Sequence, residues 1–128
     1  ELLSYNDLAG LYYGSGVASY ATGDTPTAIH RWTEGVRQCP DESLMRFNLS
    51  AALLEAGDPS RAARQSVALL RQEPDHDDAW HNLTLSLRQL GRMADAQAAS
   101  DHDPACLKAG GRLSVWLEDG AGDVAKEL

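Results

Sequence analysis

Residues 44–62 read LMRFNLSAALLEAGDPSRA, and residues 78–96 read DAWHNLTLSLRQLGRMADA, a stretch that lies 34 positions further along the chain. Leucine, a small residue, glycine and alanine stand at matching positions in the two stretches. The same period extends back toward the N-terminus and gives two series of three residues: Gly23, Gly57 and Gly91, and Ala28, Ala62 and Ala96. A fixed period of this length indicates an array of similar supersecondary units.

Each unit is predicted to be a pair of helices. Apolar residues recur at helical spacing along the first helix of the second unit: Leu44, Phe47, Leu49, Ala51, Leu53 and Leu54. That helix should stop near Gly57, which tolerates a left-handed end. Asp58 is then the predicted N-cap and Pro59 the first residue of the second helix. In the first unit, Thr25 and Pro26 are predicted to do the same.

The composition favours a soluble, single helical domain. Among 128 residues, 43% are hydrophobic, and Lys and Arg number 11 against 19 Asp and Glu, which gives a net charge of −8. This charge argues against nucleic acid as a partner and against docking on anionic lipid. Because no apolar run approaches about 18 residues, we expect no membrane insertion. The two cysteines, Cys39 and Cys106, match no zinc or redox spacing.

The motif positions resemble the tetratricopeptide repeat family, whose units follow the pattern W-x2-L-G-x2-Y, then A-x3-F, then P. The best match lies in the third unit: Trp80-x2-Leu83-Thr84-x2-Leu87, then Gly91 and Ala96. The resemblance implies an all-α, right-handed superhelical solenoid of helix-turn-helix repeats with a C-terminal capping helix. Residues 1–128 would form one domain, with repeats at about 9–42, 43–76 and 77–104 and the cap at about 105–128.

The third unit departs from the pattern near its end. Its second helix should end early, at residues 101–104, and Gly110-Gly111 should break any further helix. Residues 113–117 read LSVWL and look like a short amphipathic segment. We expect this segment to be either a cap over the open end of the third unit or a degenerate fourth unit.

In arrays of this family the first helices line a concave groove, and the resemblance implies that this groove binds a polypeptide. Carried over by position, the groove residues are Tyr13, Val17, Tyr20, Phe47, Asn48, Ala51, Leu54, His81, Asn82, Leu85 and Arg88. Asn48 and Asn82 lie one repeat apart, and their amides can bond the backbone of an extended peptide whatever its sequence. The alternatives are asparagines bonded to water or to a helical neighbour, and a groove in which Tyr13, Phe47 and Leu54 are covered by the chain's own terminus.

One ligand class is disfavoured. Family members that hold the acidic C-terminus of cytosolic chaperones use a clamp of Lys and Arg around Asn. Here only Asn48 fits that clamp, because the other positions hold Tyr13, Val17, Asp78 and Asn82. A groove without cations should not capture a carboxylate.

Other motifs are predicted to be structural. Asn48-Leu49-Ser50 and Asn82-Leu83-Thr84 match the glycosylation pattern but fall in mid-helix. The Asp- and His-containing stretches at 75–78 and 101–103 suit helix starts better than metal sites. Trp32 and Trp80 stand at core positions. Because no catalytic constellation or phosphate loop is present, we expect no enzyme, no metal and no cofactor.

The predicted function is therefore that of a non-catalytic scaffold for protein–protein interaction, which binds a protein or peptide in the concave groove. Three alternatives stay open: a regulatory or assembly module of a larger multidomain enzyme, a secretion-type chaperone, and a homo-oligomer formed through an apolar groove or an unpaired end. Because the sequence starts at Glu1 rather than Met, we expect a fragment or a processed product. The sequence leaves the compartment open, with the cytoplasm slightly favoured over export after removal of a signal peptide.

Overall fold

The computed structural model describes residues 3–118, and this part of the chain is helical throughout, without a strand. It contains seven α-helices and one 3₁₀ helix: α1 (Tyr5–Ala21), α2 (Thr25–Gln38), α3 (Ser43–Glu55), α4 (Pro59–Gln72), α5 (Asp77–Gln89), α6 (Met93–Ser100), the 3₁₀ helix (Pro104–Leu107) and α7 (Arg112–Glu118). From α1 to α6, each helix packs against the next one along the chain. This order confirms the predicted all-α array. None of the described helices combines the length and the apolarity that a bilayer crossing requires.

The turn inside each helix pair is closed in the same way in all three units. Gly57 follows α3 with a φ of +81°, and the next N–H, that of Asp58, donates to the carbonyl of Leu53 at 2.8 Å. Gly23 and Gly91 have φ values of +83° and +75° in the same role. Since glycine adopts this left-handed conformation without strain, its recurrence every 34 residues is explained by the turn.

The predicted start of the second helix was correct in one unit and wrong by one residue in another. Asp58 caps α4 as predicted, with Oδ1 accepting a bond from the N–H of Arg61 at 3.2 Å. In the first unit, however, the cap is Asp24 rather than Thr25, and its Oδ1 accepts from the N–H of Thr27 at 3.2 Å. Asp24 and Asp58 stand one period apart, so the repeat itself places the caps at equivalent positions.

The buried residues recur at helical spacing, but not every apolar residue predicted on the core face is buried. In α3 the buried face is formed by Met45, Leu49 and Leu53. Leu44, predicted on the apolar face, is 53% exposed. Leu44 lies on the same side of α3 as Asn48 and Ala51, four and seven positions further on, and Ala51 is exposed as well.

Arg46 takes the place that Trp80 has in the next unit, and it makes the equivalent bond. Its Nε donates to the carbonyl of Pro40 at 3.1 Å, as Nε1 of Trp80 donates to the carbonyl of Pro74 at 2.8 Å. A second bond joins Arg46 to Gln65 of α4 at 2.9 Å. The guanidinium is thus held against α4 and the loop before α3, and burial lowers its pKa.

The C-terminal segment folds back on α4. Arg71 donates to the carbonyl of Leu107 at 2.8 Å and to the hydroxyl of Ser114 at 3.2 Å, and Arg64 donates to the carbonyl of Leu117 at 3.0 Å. The segment predicted at 113–117 is therefore a helix, α7, which is anchored on α4 of the second unit and also on α6 of the third, where Arg112 donates to Asp95 at 2.8 Å. Residues 119–128 of the predicted cap lie outside the described residues.

Candidate functional site

A groove runs between α1 and α3, the first helices of the first two units. It consists of two hollows that follow one another along the helices, of about 280 and 260 Å³. We call it the α1/α3 groove. Its first hollow is lined by Asn6, Ala9, Gly10, Tyr13, Glu42, Leu44 and Met45, and its second by Val17, Tyr20, Trp32, Asn48, Ala51 and Ala52.

Trp32 explains why a groove exists at this junction. Its side chain is 97% buried, its indole N–H donates to the carbonyl of Tyr13 at 3.2 Å, and its ring lies where a Cβ on Gly16 would be. One period later, Ser66 stands at the position of Trp32. There α5 packs directly on α3, whereas the backbones of α1 and α3 scarcely approach one another. A large ring in one unit and a small hydroxyl in the next therefore give two different junctions.

The two asparagines predicted to bind a peptide have different surroundings. Asn82 is 8% exposed, and its Nδ2 donates to the hydroxyl of Ser50 at 3.1 Å. This bond joins α5 to α3, and Ser50 in turn donates to the carbonyl of Phe47 at 2.8 Å. The amide of Asn82 therefore serves the packing of one unit on the next.

Asn48 stands one period earlier, and there the residue equivalent to Ser50 is Gly16. Glycine offers no hydroxyl, and the space beside it is taken by Trp32. Within residues 3–118 the half-buried side chain of Asn48 has no hydrogen-bond partner, and it lines the second hollow. The Asn48 amide could donate two hydrogen bonds to a ligand in this hollow and accept bonds through its oxygen.

Tyr20 and Glu55 close the far end of the groove. The Tyr20 hydroxyl donates to Oε2 of Glu55 at 2.5 Å, and this bond, together with burial and the carboxylate charge, raises the pKa of Tyr20. Tyr20 is 43% exposed, and its ring centroid lies 6.1 Å from that of Trp32. An exposed aromatic face thus stands beside a fixed negative charge.

The structure brings together only part of the predicted groove. Tyr13, Val17, Tyr20, Asn48 and Ala51 line the α1/α3 groove. Two further predicted residues, His81 and Arg88, line a separate hollow of about 160 Å³ against α6. The neighbours of these two in that hollow are polar for the most part: Asp77, Trp80, Thr84, Ser100 and His102.

The remaining predicted residues are engaged in packing to different degrees. Phe47 is half-buried, and its ring centroid lies 5.3 Å from that of His76. Leu54 packs against the core of the first two units, and Leu85 is also half-buried. The covering of Phe47 therefore comes from the loop before α5.

Several groove residues were not predicted. Asn6 and Gly10 enter the lining because α1 begins at Tyr5, earlier than the repeat predicted to start at about residue 9. Ser4 was a signal for this extra turn, since its hydroxyl accepts a bond from the N–H of Asp7 at 3.1 Å. Tyr5 then fixes the turn, because its hydroxyl accepts a bond from the backbone of the loop that precedes α3.

The stretches rich in Asp and His lie at helix ends. His76 caps α5, with Nδ1 accepting from the N–H of Ala79 at 3.1 Å, and Asp77 is the first residue of that helix. Asp103 caps the 3₁₀ helix through a bond from the N–H of Ala105 at 3.0 Å. Among the residues that the structure describes, no group of three or more His, Cys, Asp or Glu side chains is arranged to hold a metal ion.

Comparison with known proteins identifies relatives of the chain. It matches the tetratricopeptide repeat family over residues 13–67 and again over residues 47–105. It is also 34% identical, over 59 residues, to the TPR repeat-containing protein PA0015 of Pseudomonas aeruginosa. That alignment covers 46% of this chain and 56% of the relative, so the chain spans little more than half of the relative's length.

Proposed function

The chain belongs to the tetratricopeptide repeat family, whose repeats form protein–protein interaction modules, and from this premise we propose that the α1/α3 groove holds a segment of a partner protein. Family members are typically non-catalytic, and the proposed role is that of a scaffold. The partner segment lies between the first helices of units one and two, rather than along all three units.

The half-buried Asn48 amide carries this proposal. It lies in an otherwise apolar and aromatic hollow, and within residues 3–118 it has no partner. A ligand that covers this amide would displace water from it, and a peptide backbone placed here would supply the hydrogen bond that the covered amide then needs. The exposed apolar side chains of Val17, Tyr20 and Leu44 would lose contact with water at the same time.

The test compares Asn48→Ala with Asn82→Ala against a partner retained by the chain from the native source. Loss of one hydrogen bond of about 0.5–1.5 kcal/mol predicts a roughly 2- to 12-fold weaker complex for Asn48→Ala. Asn82→Ala, measured under conditions where it is folded, should bind within about twofold of the parent. Equal affinity of the parent and Asn48→Ala would refute the groove assignment.

A second candidate function, self-association, is favoured by the outer face of α1. Leu11, 59% exposed, and Ala18 stand one period before Met45 and Ala52, which are buried. Met45 packs on Gly35 of the preceding unit. The equivalent positions on α1, held by Leu11 and Ala18, are therefore those at which a preceding helix pair would pack. Light scattering should then show a dimer that Leu11→Lys dissociates and Met93→Lys, an equally exposed change on α6, does not. A monomer at all concentrations would exclude this candidate.

A further inference from the structure

The residues that line the α1/α3 groove are acidic, polar or apolar. Glu42 is one of the residues that line its first hollow, and its second hollow ends at Tyr20, which is bonded to Glu55. Among the described residues that line the two hollows, no Lys, Arg or His is present. The nearby Arg46 is bonded to Pro40 and Gln65 instead.

We propose that the groove selects an extended segment with one apolar side chain beside Asn48 and a basic residue on either side of it. The inference rests on the proposed function and specifies its ligand. The second hollow, of about 260 Å³, is smaller than the roughly 300 Å³ at which pockets for drug-sized molecules begin. It therefore suits a single side chain together with the backbone that bears it.

The two carboxylates set the spacing of the basic residues. Glu42 is the N-cap of α3 and Glu55 is its last residue, so they stand about 20 Å apart along the helix at 1.5 Å per residue. An extended peptide advances about 3.3 Å per residue and covers that distance in about six residues. Lysine or arginine at both ends of such a segment would meet a carboxylate, whereas an acidic segment would meet two like charges.

The protein as a whole reinforces this preference. The chain carries a net charge of −8, which attracts a basic segment over distances comparable with the Debye length of about 8–10 Å.

The cation Arg88 lines the separate hollow against α6, so it does not contribute to the lining of the α1/α3 groove. We therefore expect the preference for basic residues to be confined to the first two units.

The experiment is selection of random decapeptides, displayed on phage, against the 128-residue chain and in parallel against its Asn48→Ala variant. Sequences enriched on the parent alone should contain a large apolar residue with Lys or Arg on both sides. Enrichment that depends on Asn48 but shows no basic bias would overturn this inference and leave the proposed function standing. Absence of any Asn48-dependent sequence would contradict the proposed function, and this inference with it.

Fluorescence anisotropy of an enriched peptide then tests the two carboxylates. Glu42→Gln with Glu55→Gln should weaken binding about three- to tenfold, since each exposed ion pair contributes little. Glutamine at 55 can still accept the Tyr20 bond. The matched control, Glu34→Gln with Asp101→Asn, removes the same charge outside the groove and should change affinity less than twofold. Equal losses in the two double variants would overturn the inference.

Discussion

Asn82 donates a hydrogen bond to Ser50 at 3.1 Å, and this bond has no equivalent one repeat earlier, where Gly16 stands at the position of Ser50 and Asn48 at that of Asn82. Two residues that the repeat makes equivalent therefore have different tasks. One amide stabilises the array, and the other is available to a ligand.

Replacement of the two asparagines by alanine should change the free energy of unfolding by different amounts. Asn82→Ala removes a buried bond and the volume of the amide, so we expect the free energy of unfolding to fall by about 1–3 kcal/mol. Asn48→Ala removes no internal bond and should change it by less than about 0.5 kcal/mol. Urea unfolding followed by circular dichroism measures both. Equal destabilisation by the two changes would mean that Asn48 has a structural partner.

Two of the three glycines in α1, Gly14 and Gly16, form a second matched pair. A Cβ on Gly16 would overlap the indole of Trp32, whereas a Cβ on Gly14 would have no neighbour within 4 Å. Gly16→Ala should destabilise the chain by about 1–3 kcal/mol through overpacking. Gly14→Ala should stabilise it by about 0.5–1 kcal/mol through helix propensity. Thermal unfolding of both variants checks the sign, and a stable Gly16→Ala chain would show that Trp32 does not pack there.

Arg71 should hold the C-terminal segment in place. Arg71→Met keeps much of the side chain's apolar stem but removes the donors to Leu107 and Ser114. Loss of these bonds predicts roughly tenfold faster local opening, visible as faster tryptic cleavage after Lys108. Arg37→Met, which removes a surface pair with Glu34, is the control and should leave the rate unchanged.

Cys106 should react slowly with alkylating reagents. Burial is the main cause that raises its pKa to about 11, and nearby Asp103 and Asp95 add to the effect. At pH 8 only about 0.1% of the thiol is then thiolate, against about a quarter for an unperturbed cysteine. The rate of labelling by iodoacetamide, followed by peptide mapping, should rise about tenfold per pH unit from pH 8 to 10. A plateau near pH 9 would contradict the raised pKa.

The helix pairs were predictable because their determinants recur in every unit. Gly57 terminates a helix for the same reason as Gly23 and Gly91, and a 34-residue period makes that role visible in the sequence. The cap at Asp24 was missed although it stands one period before Asp58, because Thr25 is also a good capping residue. The extra turn of α1 was missed because it lies outside the period.

The site was predictable only in part, since it depends on how the units differ. The repeat makes Asn48 and Asn82 equivalent, and a pattern of spacing alone assigns both to the groove. Whether each amide finds a partner depends on the packing across a junction, where Trp32 faces one asparagine and Ser50 the other. These contacts form across the junction between two units, so the 34-residue period alone does not predict them.

The most direct test of peptide binding in the α1/α3 groove is titration of the ¹⁵N-labelled chain with a selected peptide, followed by nuclear magnetic resonance. Peptide binding there predicts that the side-chain amide signals of Asn48 shift together with the backbone signals of Val17, Tyr20 and Ala51, while those of Asn82 stay in place. Shifts confined to α2 and α4, or an unchanged Asn48 amide in a saturated complex, would contradict the account.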